Sequence, residues 1–104
     1  MKTKQTTEEN FVVQVTDDSM WPKYTPGEYA LVEPDSIPDV GDDVLVRLVT
    51  GETLIKTLAA RSPDGVRLSS YNSTDVRFYA HEEIRLMYWV PFPIPQKNIN
   101  TRIF

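Results

Sequence analysis

Residues 44–58 read VLVRLVTGETLIKTL, and this stretch decides the fold. Two runs of apolar and β-branched residues flank the turn Thr50-Gly51-Glu52, a pattern typical of a β-hairpin. In the second run, the side chains of Leu54, Lys56 and Leu58 share one face, because side chains alternate along a strand. The stretch therefore predicts an antiparallel hairpin that sets one lysine between two leucines.

Strand patterns continue on both sides of this hairpin, whereas no helical period is sustained for three turns. Further strands are predicted at residues 11–16, 28–33, 66–70, 75–79 and 84–90. All eight prolines lie outside the predicted strand centres, where proline would remove a ladder hydrogen bond. We therefore predict a mostly β, compact single domain of antiparallel strands and hairpins.

Composition restricts the class of protein further. The chain has 104 residues, of which 40% are hydrophobic and 25% are charged, as in one globular domain. Its net charge of −4 disfavours nucleic-acid binding by this part of the chain, since phosphate contacts need clustered Lys and Arg. The absence of cysteine excludes disulfides and thiolate metal sites. No metal and no cofactor are predicted.

Signals for membrane targeting are also missing from the sequence. No apolar run approaches the roughly 18 residues that cross a bilayer. The polar residues 1–10 lack the apolar centre of a signal peptide. We therefore expect a cytoplasmic protein that makes no membrane contact.

Ser19 lies in the segment Asp17–Pro22, which reads DDSMWP and follows the first predicted strand. It precedes Lys56 by 37 positions. A serine hydroxyl is a weak nucleophile until a neighbouring base takes its proton, and lysine is a base only when neutral, a form that burial among apolar groups favours. The pair suits a Ser–Lys hydrolytic dyad. The other interpretation is that Lys56 is a surface lysine that extends past its leucines to water.

Four stretches of the chain resemble one peptidase family. Residues 17–34, DDSMWPKYTPGEYALVEP, resemble the Ser-Met-x-Pro box of LexA-type and phage-repressor self-cleaving peptidases. Residues 40–46 resemble their glycine-aspartate strand start, residues 54–58 their lysine strand, and residues 66–72 the strand and asparagine turn that follow. The resemblance covers residues 11–90 in the right order, so it is more specific than one short motif. It implies the fold of the LexA C-terminal domain.

The resemblance also implies roles for individual residues. Ser19 would be the nucleophile, and Lys56 the general base that later returns the proton to the leaving amine. The backbone N–H groups of Asp18 and Ser19 would meet the oxyanion. Met20 and Trp21 are candidates for the lining of the substrate cleft because they follow Ser19 directly in the sequence, and for Trp21 the other interpretation is a place in the core.

Two other residues receive structural interpretations. His81, the one histidine, lies in a polar stretch without a motif that would make it part of a triad, so we interpret it as a solvated loop or turn residue. Trp89, within an apolar run, is predicted to lie in the core.

The sequence departs from the family pattern at three points. Asp17 stands where most relatives have glycine, and Leu54 stands where some carry a threonine that supports the lysine. Relatives cut their own chain at an Ala-Gly or Cys-Gly bond upstream of the serine, and the 18 residues before Ser19 contain no such bond. We therefore expect that this chain by itself does not perform the family's natural self-cleavage.

These features divide the chain into three predicted parts. Residues 1–10 are a linker remnant or flexible N-terminus, and residues 11–90 form the peptidase domain. Residues 91–104 form a tail that either covers the domain or docks on a second copy, or else is a frayed end.

The resemblance implies a function and partners. We expect the C-terminal peptidase and dimerisation domain of a phage-repressor-like transcriptional regulator, which acts as a homodimer. Operator DNA would be bound only by an upstream helix-turn-helix domain, and a RecA-type recombinase filament would stimulate self-cleavage. The alternatives are a non-catalytic β scaffold of the same family that serves dimerisation, and a stand-alone accessory protein of error-prone polymerase type.

Overall fold

The hairpin predicted from residues 44–58 lies inside the larger of two β-sheets. The computed structural model describes residues 8–95. Their strands are β1 (Phe11–Gln14), β2 (Tyr29–Val32), β3 (Asp43–Leu48), β4 (Thr53–Ser62), β5 (Gly65–Ser69), β6 (Val76–Ala80), β7 (Ile84–Val90) and β8 (Pro93–Ile94). One 3-10 turn, His81–Glu83, precedes β7.

All the strand pairings are antiparallel. The larger sheet has the order β6-β5-β4-β3-β7, and the smaller sheet has the order β1-β2-β8. An isolated bridge between Glu33 and Trp89 joins the end of β2 to β7. The architecture confirms the predicted mostly β domain of antiparallel strands and hairpins, and it is consistent with a LexA C-terminal-like fold.

The turn of the β3–β4 hairpin is closed by backbone hydrogen bonds. The Gly51 N–H donates to the Leu48 carbonyl, and the Leu48 N–H donates to the Glu52 carbonyl, both at 2.9 Å. Gly51 has a φ of +96°, a left-handed conformation that glycine adopts without steric cost. The resulting register places Val44 opposite Lys56. The lysine is therefore fixed in place by pairing with a buried strand.

Strand β3 is buried on both faces and separates two apolar clusters. One cluster joins the smaller sheet to β3 and β7, and it contains Val15, Met20, Tyr24, Ala30, Val32, Leu45 and Val90. The other lies on the opposite face and contains Val44, Val46, Leu48, Leu58, Val66, Leu68 and Tyr79. Leu58 belongs to this second cluster and Leu54 packs against it, so the lysine face predicted from the sequence points toward the second cluster.

Strand β4 is longer than the sequence predicts. It continues to Ser62, whereas the predicted strand ends at Leu58. The extra residues pair with β5, with Ser62 opposite Gly65, after an irregularity between Leu58 and Ala60. Alanine is a weak strand former, so the cross-strand pairing overrides the local preference of the two alanines that follow Leu58.

The first part of the tail adds a strand to the smaller sheet. β8 pairs with the start of β2, and the Leu31 N–H donates to the Phe92 carbonyl at 3.1 Å. Proline is tolerated there because β8 is an edge strand. Residues 93–94 are therefore paired into the smaller sheet, while docking of the tail on a second copy stays a prediction. Ile103 and Phe104 lie outside the described residues.

Trp89 does not lie in the core, contrary to the prediction. It is only partly buried, and neither apolar cluster contains it, whereas its neighbour Val90 is 1% exposed. The reason is its polar surroundings: Trp89 bridges Glu33 and lines a cavity with Ile37, Asp39 and Asp42 of the linker before β3.

The carboxylate of Asp43 is buried, with 3% of the residue exposed, and is surrounded by four donors from three other segments. These are Tyr24 Oη (2.8 Å to Oδ2), Thr57 Oγ1 (2.8 Å to Oδ1), Tyr71 Oη (3.0 Å to Oδ1) and Lys23 Nζ (2.8 Å to Oδ2). A buried carboxylate is tolerated only when it is paired and hydrogen-bonded. This requirement therefore joins the loop after Ser19, strands β3 and β4, and the turn after β5.

The burial and hydrogen bonds around Asp43 also shift the pKa values of two of its donors, Tyr24 and Lys23. Burial, followed by the hydrogen bond to Asp43 and its charge, raises the pKa of Tyr24 far above its ordinary value of 10.0. Burial acts to lower the pKa of Lys23, but the hydrogen bond to Asp43 and the charge of that carboxylate outweigh it, so the pKa is raised above 10.5. Both donors therefore keep their protons at neutral pH.

Removing the Tyr24 hydroxyl should destabilise the fold. In Tyr24→Phe the Asp43 carboxylate loses a donor while it stays buried, and such a loss costs about 1–3 kcal/mol. We expect a reduction of that size in the free energy of unfolding, measured by urea denaturation. Tyr29→Phe, a change of the same kind on partly buried β2, should alter it by less than about 0.5 kcal/mol. Equal effects of the two substitutions would contradict the role assigned to Asp43.

Stability should also fall at alkaline pH. Because the folded pKa of Tyr24 lies above its unfolded value, its contribution is complete below pH 10.0 and is lost as pH rises beyond that value. Lys23 contributes in the same direction above its ordinary value of 10.5. Urea midpoints measured from pH 8 to pH 11 should decline above about pH 10, and the decline should be shallower in Tyr24→Phe. A parallel decline in both proteins would contradict this assignment.

Candidate active site

Ser19 and Lys56 line the same cleft, which has a volume of about 470 Å³. Its other lining residues are Asp17, Asp18, Glu52, Leu54, Leu68, Ser70, Asn72, Ser73, Asp75, Arg77 and Tyr79. The serine comes from the loop after β1, and the lysine comes from the middle of β4. The tertiary fold thus brings together the two residues that the sequence predicted as a dyad.

The loop that carries Ser19 is held by a turn on the far side of the cleft. The Asn72 N–H donates to the Ser19 carbonyl at 2.9 Å, and Asn72 Nδ2 donates to the Asp18 carbonyl at 3.0 Å. Within the loop, the Trp21 N–H donates to the same Asp18 carbonyl at 3.1 Å. Asn72 therefore docks the turn after β5 directly onto the serine loop.

Both polar hydrogens of Ser19 are engaged by one carboxylate oxygen. Ser19 Oγ donates to Asp17 Oδ1 at 2.9 Å, and the Ser19 N–H donates to the same oxygen at 3.1 Å. The predicted nucleophile and one of its two predicted oxyanion donors are thus occupied in this arrangement. Asp18, whose N–H is the other predicted donor, also lines the cleft.

Lys56 points into the cleft and is partly buried there. Its Nζ donates to Ser70 Oγ at 2.8 Å, and Leu54 and Leu68 lie along the same wall. The antiparallel pairing of β4 with β5, in which Thr57 lies opposite Ser69, brings Ser70 within reach. This position favours the cleft interpretation of Lys56 over that of a surface lysine that extends to water.

No hydrogen bond joins Ser19 to Lys56 within residues 8–95. Each residue instead contacts a different side chain, Asp17 for the serine and Ser70 for the lysine. The structure therefore shows the two groups in one cleft but without a hydrogen bond between them.

The structure places the two predicted cleft residues elsewhere. Met20 is 1% exposed and belongs to the cluster between the sheets, where it also lines a smaller cavity of about 140 Å³. Trp21 is 51% exposed and does not line the cleft that contains Ser19. A contact of either residue with a substrate stays a prediction.

His81 lies away from the cleft. It is exposed at the start of the 3-10 turn, and its Nε2 lies 3.2 Å from the Ser62 carbonyl. This position agrees with the interpretation of His81 as a solvated turn residue.

Sequence reasoning missed three contacts of the site. Asp17 and Ser70 carry no motif that indicates their hydrogen bonds, and the asparagine turn at Asn72 was noted only as a family feature. The signal for Ser70 lies in the strand register, because a residue just after β5 must lie near the middle of β4. The register itself follows from pairing that the local sequence does not specify.

The charges of the cleft are mixed. Two cationic side chains, Lys56 and Arg77, face four acidic ones: Asp17, Asp18, Glu52 and Asp75. No group of three or more His, Cys, Asp or Glu side chains in residues 8–95 is arranged to hold a metal ion. Across the same residues, no helix is long and apolar enough to cross a membrane.

The arrangement provides the parts for acyl transfer by a serine. A hydroxyl, an amine and backbone N–H groups share one partly apolar cleft, as nucleophile, base and oxyanion donors require. Fold and site together define a β domain with a Ser–Lys cleft.

The sequence model described as Peptidase S24-like matches residues 1–90, and the chain belongs to this family. No curated protein matches the sequence significantly.

Proposed function

We propose that this chain is the peptidase and dimerisation domain of a phage-repressor-like regulator, and that it cleaves its own polypeptide with Ser19 and Lys56. The single observation that carries the proposal is that these two residues, 37 positions apart in the sequence, line one cleft in a member of the Peptidase S24-like family.

The proposed reaction proceeds through an ester on Ser19. Neutral Lys56 takes the hydroxyl proton while Ser19 Oγ bonds to the scissile carbonyl carbon. The N–H groups of Ser19 and Asp18 donate to the oxyanion. The C–N bond then breaks, and Lys56 gives its proton to the leaving amine. A water molecule, deprotonated by Lys56, hydrolyses the ester and releases the new carboxyl end.

Ser70 supports the lysine in this scheme. Because Ser70 Oγ accepts one N–H of Lys56 at 2.8 Å, it restricts the directions in which the amine can point. The apolar side chains of Leu54 and Leu68 line the cleft beside the same amine. Ser70 therefore supplies the polar support that Leu54 lacks at the position where some relatives carry threonine.

The biological setting belongs to the same proposal. The natural cleavage bond would lie in a longer cytoplasmic protein, upstream of this domain. There a helix-turn-helix domain would bind operator DNA, and a RecA-type filament would stimulate cleavage that separates the two parts. Net charge supports this division, since the value of −4 makes the present chain a poor binder of DNA.

The full-length gene product should cleave itself once, and faster as pH rises from 7 to 9.5, because a larger fraction of any lysine is neutral at higher pH. Ser19→Ala and Lys56→Arg should each slow cleavage by about 1000-fold or more, since arginine keeps the charge but does not release a proton. Gel electrophoresis and intact mass measure the rate and the bond.

A control for this experiment is Ser69→Ala, which changes a neighbouring serine outside the cleft and should leave the rate within about twofold of wild type. A folded wild type that stays uncut across this pH range would contradict the peptidase proposal. The observation that Ser19 and Lys56 are not hydrogen-bonded to each other would then favour the second candidate, a non-catalytic β scaffold of the same family that serves dimerisation.

The outer face of the smaller sheet supports the proposed homodimer. Val12 pairs with Leu31, and the Leu31 N–H bonds to the carbonyl of Phe92, so the three apolar side chains form a row across β1, β2 and the start of β8. Val12 is 43% and Phe92 is 50% exposed. A row of exposed apolar side chains is typical of a surface that meets a second chain.

A charge in this row should weaken the dimer. We expect Val12→Asp to raise the dimer dissociation constant at least about tenfold, because the contact would bury an unpaired carboxylate. Sedimentation velocity measures the constant. Val76→Asp is the matched control, since Val76 is a similarly exposed strand valine (52%) on the edge strand β6 of the other sheet. A monomeric wild type, or equal effects of both variants, would contradict a dimer through this face.

A further inference from the structure

The side chain of Asp17 contacts the atoms that the proposed reaction uses. Its Oδ1 accepts the Ser19 hydroxyl at 2.9 Å and the Ser19 N–H at 3.1 Å. Asp17 also lines both the main cleft and the smaller cavity beside it. Its carboxylate therefore lies where a substrate carbonyl must approach the serine.

The distances identify what the carboxylate replaces. Oxyanion donors in serine hydrolases lie about 2.7–3.1 Å from the oxygen that becomes charged, and Asp17 Oδ1 lies 3.1 Å from the Ser19 nitrogen. The carboxylate oxygen of Asp17 thus lies at the distance from this N–H group that the substrate oxyanion would take. Two negative oxygens cannot share one N–H donor without strong repulsion, so the carboxylate must move before an oxyanion forms on Ser19.

The hydroxyl is restrained in the same way. While Ser19 Oγ donates to Asp17, its proton points at a carboxylate and not at Lys56. Lys56 meanwhile donates to Ser70. Proton transfer from serine to lysine therefore requires the serine hydroxyl to leave Asp17.

We propose that Asp17 is a restraining residue of the Ser19 site, which holds the nucleophile and one oxyanion donor in a resting arrangement and so limits the reactivity of the serine. The inference rests on the proposed function, because it assigns to Asp17 a control over the same dyad. It identifies the step that activation must include, which is release of the Asp17 carboxylate from Ser19.

The competing explanation is a local turn. An Asp side chain that accepts the N–H two residues later forms an Asx-turn, which would serve only to shape the loop. Asparagine forms the same turn equally well but carries no charge. The substitution Asp17→Asn therefore keeps the turn but replaces a charged acceptor by a neutral one, whose hydrogen bonds to Ser19 are weaker and exchange more readily.

The test uses a fluorophosphonate probe on the 104-residue chain, so that no natural cleavage bond is needed. Ser19 Oγ forms a bond to phosphorus, the P–F bond breaks, fluoride leaves and the hydroxyl proton passes to Lys56. The tetrahedral phosphoryl group needs the same N–H donors as a peptide oxyanion. Intact mass gives the rate of labelling, and peptide mapping identifies Ser19 as the labelled residue.

We expect Asp17→Asn to react about 10- to 100-fold faster than wild type, because one oxyanion donor alone is worth about 100- to 1000-fold. Asp64→Asn, which changes the net charge equally in the turn between β4 and β5, should stay within about twofold of wild type. Labelling of Asp17→Asn should disappear when Ser19→Ala or Lys56→Arg is added. An unchanged or slower rate in Asp17→Asn would overturn the restraining role.

A second measurement separates failure of this inference from failure of the proposed function. The amide proton of Ser19 in wild type should show a downfield NMR shift from the Asp17 carboxylate, and the shift should be reduced in Asp17→Asn. If that shift is absent, the contact and the inference are overturned. If the shift is present but no folded variant is labelled at Ser19, the Ser–Lys peptidase itself is overturned and the restraint falls with it.

Discussion

The buried carboxylate of Asp43 is the constraint on which the rest of the structure depends. A charge removed from water must be matched by donors, and here four donors arrive from three other segments of the chain. Two of them flank the site: Thr57 follows Lys56 directly, and Tyr71 lies between Ser70 and Asn72. Satisfying one carboxylate therefore fixes the relative positions of the serine loop, the lysine strand and the turn that closes the cleft.

The cleft built on this frame contains both Ser19 and Lys56, but each is hydrogen-bonded to a different side chain. Ser19 is bonded to Asp17, and Lys56 is bonded to Ser70. In the proposed self-cleavage the substrate is the protein's own chain and is always present, so the rate would be limited by the site and not by encounter. The hydrogen bonds of Ser19 to Asp17 and of Lys56 to Ser70 would have to break before proton transfer. The free energy needed to break them would provide such a limit.

Most of the architecture follows from local patterns. The strand predicted at 84–90 has the observed bounds of β7, and Gly51 marks the turn that closes the central hairpin because glycine adopts the required positive φ without steric cost. Prediction fails where pairing outweighs local preference. Strand β4 passes through Ala59-Ala60 because β5 pairs beside it. Trp89 stays outside the core because the linker before β3 lies against it, and no window of sequence contains that long-range contact.

The sequence by itself determined the β class, the central hairpin and the pair Ser19 and Lys56, because side-chain period and motif order are properties of neighbouring residues. Only the tertiary structure decided what each of the pair touches. The partners Asp17 and Ser70 depend on loop conformation and strand register, and Asp43 gathers donors from up to 28 positions away. Contacts of this kind depend on which segments pack together, and that is settled only when burial and hydrogen bonding are satisfied over the whole fold.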